Sequence, residues 1–271
     1  MDKVALITGI STGFGKATSE ILSVKGYRVY GISRNQNEDL ASTIKVLKAD
    51  VTDVDSVRKA VDTVVAKEGR IDILVNNAGM GISGSVEDSS TADIRLQMET
   101  NFIGYINMIQ AVLPVLRRNN GATIVNISSI GGIMGLPYQG IYSASKYAVE
   151  GMSDALRMEL RPFKINVIVI RPGDFFTNFT ASRKKTGSEG AASSVYTNQF
   201  SKTLRVIEND EKNGFPPEFL ARKLSKILAT KNPCQSYSIA SVEQKFAVLL
   251  KRILPGKLFS KIISSHYAIK P

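Results

Sequence analysis

Short apolar runs alternate with longer amphipathic stretches through the first two-thirds of the chain, and this rhythm predicts a parallel α/β sheet. The apolar runs lie at 4–7, 28–32, 45–48, 71–75, 123–127 and 165–170. Their hydrophobicity is nearly continuous, which fits strands buried on both faces rather than strands with one wet side. Helix-periodic stretches fill 15–25, 54–68, 92–118 and 143–161. The second of these opens on Asp53-Val54-Asp55-Ser56, where Asp53 is a natural N-cap.

Composition shifts after Pro172. Residues 175–200 are rich in Ser, Thr, Gly and Lys with weak periodicity, as expected of a functional lid or mobile loop. A helix is predicted over 216–229 and a last strand over 236–240. Residues 243–263 then mix large aliphatics and phenylalanines with Lys and Arg, interrupted at Pro255-Gly256. No internal repeat and no second-domain boundary is visible, so residues 1–271 are expected to form one domain.

Composition removes several function classes. At 271 residues, 43% hydrophobic and 22% charged, the chain can bury a substantial core. Cys234 is the sole cysteine, which excludes an internal disulfide, and His266 is the sole histidine. A Ser-His-Asp triad or a multi-histidine metal site is therefore not expected, and CxxC and HExxH are absent. No signal peptide and no 18-residue apolar stretch is present, so the expected location is cytoplasmic. The net charge of +11 raises nucleic acid as a partner. The basic residues are spread along the chain without interleaved aromatics, so none is expected. Anionic cofactor binding, an acidic membrane surface and plain solubility each explain the charge.

The chemistry concentrates in a few places. Tyr142 and Lys146 stand at i and i+4 and share a helix face. A phenol is a weak acid of pKa about 10 whose anion a neighbouring cation favours, so the pair can move a proton near neutral pH. Ser129 arrives from the strand-like run upstream, with Ser128 as the competing hydroxyl. Near the N-terminus, Thr8-Gly9-Ile10-Ser11-Thr12-Gly13-Phe14-Gly15 joins a strand to a helix. Glycines there permit a tight turn and close approach to a pyrophosphate at the helix N-terminus. The second strand ends in Gly31-Ile32-Ser33-Arg34-Asn35, with no carboxylate until Glu38. Arg34 suits a ribose 2′-phosphate, so NADP(H) is expected over NAD(H).

These motifs together resemble the short-chain dehydrogenase/reductase family in its compact branch. The resemblance also draws on Asp50-Val51, Asn76-Asn77-Ala78-Gly79, Asn101, Ile127-Ser128-Ser129, and Arg171-Pro172-Gly173 followed by Thr177, and covers roughly residues 1–180. It implies a Rossmann-like, doubly wound parallel sheet with helices on both faces. Gly9, Ser11, Gly13 and Gly15 would turn around the cofactor phosphates, with Ile10 and Phe14 beside them. Ser33 and Arg34 would meet the adenosine ribose side, Asp50 the adenine amino group, and Val51 the adenine ring. Asn76, Ala78 and Gly79 would line the adenosine ribose, while Pro172, Gly173 and Thr177 would flank the nicotinamide. Ser129 would polarise a carbonyl and Tyr142 would be the acid in reduction. Lys146 would bind the nicotinamide ribose and lower the pKa of Tyr142. Asn101 would hold a water linking Lys146 to solvent.

The resemblance implies an oxidoreductase interconverting a carbonyl and an alcohol, with a non-catalytic NADP-binding regulator of the same fold as the alternative. Met134, Leu136, Pro137, Tyr138, Gln139, Gly81, Ile82 and Ser83 are expected to face the substrate. They offer no fixed charge, so a hydrophobic alcohol or ketone (steroid, retinoid or long-chain lipid) is expected. A homodimer or homotetramer is implied through the helices at 92–118 and 143–161. The 243–263 segment has two readings: a helix packed on the core with a solvated basic face, or an interfacial helix on anionic lipid.

Overall fold

In the computed structural model the described residues are 3–35, 40–119, 121–186 and 194–269. In chain order the elements are β1 (Val4–Thr8), α1 (Gly13–Val24), β2 (Arg28–Ser33), β3 (Ile44–Lys48), α2 (Val54–Glu68), β4 (Ile73–Asn76) and β5 (Ile82–Ser83). Then come α3 (Thr91–Met98), a π-helical turn (Glu99–Ile103), α4 (Gly104–Leu116), β6 (Thr123–Ile127), α5 (Gly140–Leu160) and β7 (Asn166–Pro172). The remainder comprises α6 (Asn178–Ala181), β8 (Lys184–Lys185), α7 (Thr197–Lys212), α8 (Pro217–Leu228), β9 (Ser236–Ile239), α9 (Val242–Ile253) and α10 (Gly256–His266).

Seven strands form one sheet in the order β3-β2-β1-β4-β6-β7-β9, every pair parallel. The apolar runs are continuous because alternate side chains serve opposite faces. Val4 and Leu6 pack with Val57, Val61, Met108 and Val112 of α2 and α4. Ala5 and Ile7 pack with Leu22 of α1 and Leu220 and Leu224 of α8. This is the expected Rossmann-like, doubly wound sheet with helices on both faces. From β1 the chain winds one way through β2 and β3, then returns to place β4 on β1's other side. The carboxyl ends of β1 and β4 thus form a switch point, where ligands bind in open α/β sheets.

Caps follow the sequence. Asp53 accepts from the backbone N–H of Asp55 and Ser56 at 3.0 and 3.2 Å, and α2 ends on Gly69 in the left-handed region. The single helix expected over 92–118 is instead α3 and α4 joined by the π turn, which re-aims the side chains beyond it. Part of the irregular 175–200 stretch is ordered as α6 and as β8, which pairs in parallel with β5; residues 187–193 lie outside the described residues.

Candidate active site

The first loop is fastened to the fourth strand by side chains. Thr8 Oγ1 accepts from the backbone N–H of both Asn77 and Ala78 at 2.9 Å, and Asn77 Nδ2 donates to the carbonyls of Thr8 and Gly9 at 2.9 and 3.1 Å. Gly9 has φ +69, and a Cβ there would lie 2.8 Å from Ala78 Cα, so only glycine fits. Thr12, the N-cap of α1, makes no side-chain cap bond, and the first turn of α1 holds no acidic residue. Among the described residues no side chain caps its first N–H groups, which suits an anion, unlike those of α2.

A cavity of about 580 Å³ runs from this turn to the pair on α5. Gly9, Ser11, Gly13, Phe14, Ser33, Arg34, Asp50, Val51, Ala78 and Gly79 line it at the first end. Asn101, Ser129, Tyr142, Lys146, Pro172, Gly173 and Thr177 line it at the other. Three expected residues lie behind the wall. Ile10 is fully buried against Gly31, where even a Cβ would overlap it. Gly15 packs so closely on Gly9 that any side chain would overlap the Gly9 carbonyl. Asn76 is buried and donates to Asn126 Oδ1 at 2.9 Å, while Asn126 reaches Ser153 of α5 at 2.9 Å. Asn77, quoted in the sequence motif but given no role, lines the cavity in its place.

The π turn and α5 build the reacting end. Ser129 stands beside the Tyr142 phenol and lowers its pKa. Ser129 Oγ accepts from the Gly131 N–H at 3.0 Å, which leaves its own proton to donate. Ser128 lines the cavity too, but its hydroxyl is buried next to Gly132 and has no hydrogen-bond partner among the described residues. Lys146 Nζ donates to the Ile127 carbonyl at 2.9 Å and lies 5.3 Å from the Tyr105 ring centre and 5.9 Å from that of Tyr142. Burial pulls its pKa down to about 8, against a raising influence from Glu150. Burial pushes the Tyr142 phenol up to about 12; Ser129 and Arg183 lower it, and Glu211 and Asp174 raise it further. With a pKa of about 8, Lys146 is neutral before a phenol at about 12 titrates, so it does not lower Tyr142 in this arrangement. Asn101, in the π turn, accepts from Met80 N at 2.9 Å and donates to Met80 O and Ser145 Oγ at 3.0 and 3.2 Å. It thus clamps the loop after β4 to α5.

The substrate end differs from expectation. Leu136 and Gln139 line the cavity, but Met134 packs under α9 and α10, and Ile82 and Ser83 form β5. Gly81 packs on the Phe179 ring, and Pro137 and Tyr138 stand outside the lining. The cavity is also not free of charge: Asp174, Asp210 and Glu211 line it beside Thr180 and Tyr267. Glu211 pairs with Arg183 and accepts from Thr180 Oγ1 at 2.6 Å. Burial, then Asp210 and Glu211, raise the Asp174 carboxyl to about 7. Sequence reading missed these groups because α7 was not anticipated; its polar majority reads as a solvated segment, and only Thr203, Leu204 and Ile207 are buried.

The short chain dehydrogenase family profile matches residues 3–188. The chain belongs to this family. Its relatives include the 3-ketodihydrosphingosine reductase of Bacteroides thetaiotaomicron, 44% identical over 268 residues and covering 99% of both chains. The NADPH-dependent 3-dehydrocapnine reductase of Ornithobacterium rhinotracheale is 32% identical, over 96% of this chain and 95% of that one. Among solved structures, a short-chain dehydrogenase from Streptomyces avermitilis superposes with a TM-score of 0.83 at 28% identity, over 99% of this chain and 97% of that one. As a short chain dehydrogenase, the protein is an oxidoreductase. Its cavity fits a nicotinamide dinucleotide: an uncapped helix N-terminus lies at one end, and a phenol beside a buried ammonium lies at the other. Among the described residues no helix is long and apolar enough to cross a membrane.

Proposed function

We propose that this short chain dehydrogenase is an NADP(H)-dependent carbonyl reductase acting on a long-chain lipid ketone, with the whole chain working as one domain. The observation that carries the reading is the meeting of Ser129, Tyr142 and Lys146 at the end of a cavity that begins at an uncapped helix. Bound NADPH would supply the hydride. Ser129 holds the carbonyl oxygen where negative charge develops, and Tyr142 delivers a proton to that oxygen, leaving a secondary alcohol. Lys146 holds the nicotinamide ribose and, once drawn toward it, eases the proton off Tyr142. Gly9, Ser11 and Gly13 hold the phosphates, Arg34 the 2′-phosphate, and Asp50 with Val51 the adenine. Pro172, Gly173 and Thr177 seat the nicotinamide. A lipid ketone is preferred over a steroid or retinoid because the two relatives named above are reductases of 3-ketodihydrosphingosine and 3-dehydrocapnine. Tyr142→Phe is expected to cut turnover about a thousandfold while NADPH affinity changes little. Undiminished NADPH oxidation with a long-chain ketone would overturn the assignment.

A lipid surface is the proposed second partner. Val248 and Phe259 of α9 and α10 pack inward, while Val242, Phe246, Leu249 and Ile253 make an exposed stripe at helical spacing. Lys245, Arg252, Lys257 and Lys261 stand among them, the pattern of a helix pair lying on anionic lipid. Removing the tail is a poor test, since Gln244 and Tyr267 reach the active-site wall. The double substitution Phe246→Ser with Ile253→Ser should abolish sedimentation with phosphatidylserine vesicles. Retained sedimentation sinks this contact.

A further inference from the structure

Lys146 is a buried cation without a direct counter-charge. The residue is 4% exposed, its ammonium donates to one backbone carbonyl, and it forms no ion pair among the described residues. A buried ammonium in that position is costly and loses its proton easily. One turn further along α5, on the same face, stands Glu150, itself buried. Its carboxylate accepts two hydrogen bonds from Arg171, from Nε at 2.9 Å and from Nη2 at 2.7 Å. The two side chains are 10% and 14% exposed. Arg171 belongs to β7 and directly precedes Pro172 and Gly173, which line the cavity.

The pair therefore joins the two elements that hold opposite sides of the reacting end. Ile170 packs with Leu220 and Leu224 of α8, so the next side chain, Arg171, faces the other layer and meets α5. A guanidinium meeting a carboxylate through two bonds fixes distance and angle together, which a single-point contact would not. Electrostatics point the same way. Burial draws the Lys146 pKa down to about 8, and Glu150 is the charge that opposes it. The other neighbours of Lys146 are uncharged near neutral pH: the Tyr105 ring from α4, the Ile127 carbonyl from β6 and the Tyr142 phenol one turn back on α5. Glu99 of the π turn is exposed, and Asp154, one turn beyond Glu150, is exposed and pairs with Arg157.

We propose that Glu150 and Arg171 are positioning residues for the reaction: their buried pair sets the Lys146 turn of α5 against the Pro172-Gly173 seat, and Glu150 supplies the negative charge that Lys146 lacks as a direct partner. Neither side chain lines the cavity, so both act through the residues that do. Arg171 tempers Glu150, and the field at Lys146 is the difference between the two charges. This role rests on the carbonyl-reductase reading above, in which Lys146 holds the nicotinamide ribose as an ammonium.

The test follows kcat and kcat/KM of the purified full-length enzyme with NADPH and a long-chain ketone across pH. In the wild type, kcat for reduction should fall as pH rises and Lys146 loses its proton. Glu150→Gln leaves the Arg171 charge uncompensated, so the fall should move to lower pH by about one unit. Arg171→Gln leaves the Glu150 charge uncompensated, and the fall should move to higher pH. The double variant, a neutral pair of similar size, should lie between the two. A fall that stays in place in Glu150→Gln overturns the proposal, as does a shift in the same direction in both single variants. A loss of activity equal at every pH also overturns it, since packing alone would explain that. Should Arg171→Gln not fold, Glu150→Gln and the double variant decide the matter. If the wild type reduces no ketone, the carbonyl-reductase reading fails separately. Calorimetry then locates the pH at which NADPH binding takes up a proton: a move to lower pH in Glu150→Gln supports the role of the pair, and an unchanged pH removes it.

Discussion

The two ends of the cavity are built by different means. At the cofactor end, recognition uses backbone: a turn between β1 and α1, an uncapped helix, and Thr8 and Asn77 tying neighbouring loops together. The other end is walled by polar and charged side chains brought from distant parts of the chain: Asp174 after β7, Glu211 near the end of α7 with Arg183 paired behind it, and Tyr267 after α10. Backbone recognition tolerates few residue types, because a Cβ in the wrong place closes the turn. Side-chain recognition can be retuned one charge at a time. On the proposed function, the first end serves what every turnover needs and the second what is turned over.

Three substitutions would break or sharpen that contrast. The largest effect is expected for Gly15→Ala, whose new Cβ would overlap the Gly9 carbonyl and force the phosphate turn open. Overpacking of this kind costs about 1–3 kcal/mol, so NADPH affinity should fall roughly ten- to a hundredfold in a fluorescence titration. An unchanged affinity would mean the turn is more pliable than described. Next, Arg34→Asp should swing the NADPH-to-NADH preference by about tenfold or more, as loss of a charge-assisted hydrogen bond predicts. Equal changes for both cofactors would make Arg34 a bystander.

The smallest effect concerns Asp174. Its folded pKa, near 7, lies above the unfolded value, so the folded state binds the extra proton. This group therefore favours folding at low pH and loses that contribution as pH rises through about 7. Asp174→Asn should raise Tm at pH 8 by about 3 °C or more and change it little at pH 4. A pH-independent difference would show that the carboxyl is not the strained member of the wall.

The same contrast explains what could be read from the chain alone. Strands were legible because both their faces are buried, and Tyr142, Lys146 and the glycine turn were legible because their partners lie within a few residues. The family resemblance already favours Ser129 over Ser128, and the packing of Gly132 on α5 adds a physical reason. Replacing Asn76 by Asn77 at the cavity needed the buried amide ladder through Asn126. The acidic wall was invisible because Asp210 and Glu211 look like an ordinary solvated helix end. Only the docking of α7, through Leu204 and Ile207, turns them inward. Similarly, the pattern over 92–118 is continuous and gives no sign of the π turn inside it.

That turn also fixes a residue count. A π-helical turn closes its hydrogen bonds over five residues where the surrounding α-helix uses four, so it carries one residue more. Asn101 lies within this one and holds both backbone groups of Met80, so the extra residue keeps the β4 loop and α5 in mutual reach. Taking one residue out would rotate everything on one side of the deletion by about 100° relative to the other. Length therefore matters here alongside the identity of Asn101: a change of one in the residue count of 99–103 would separate Asn101 from the loop it secures.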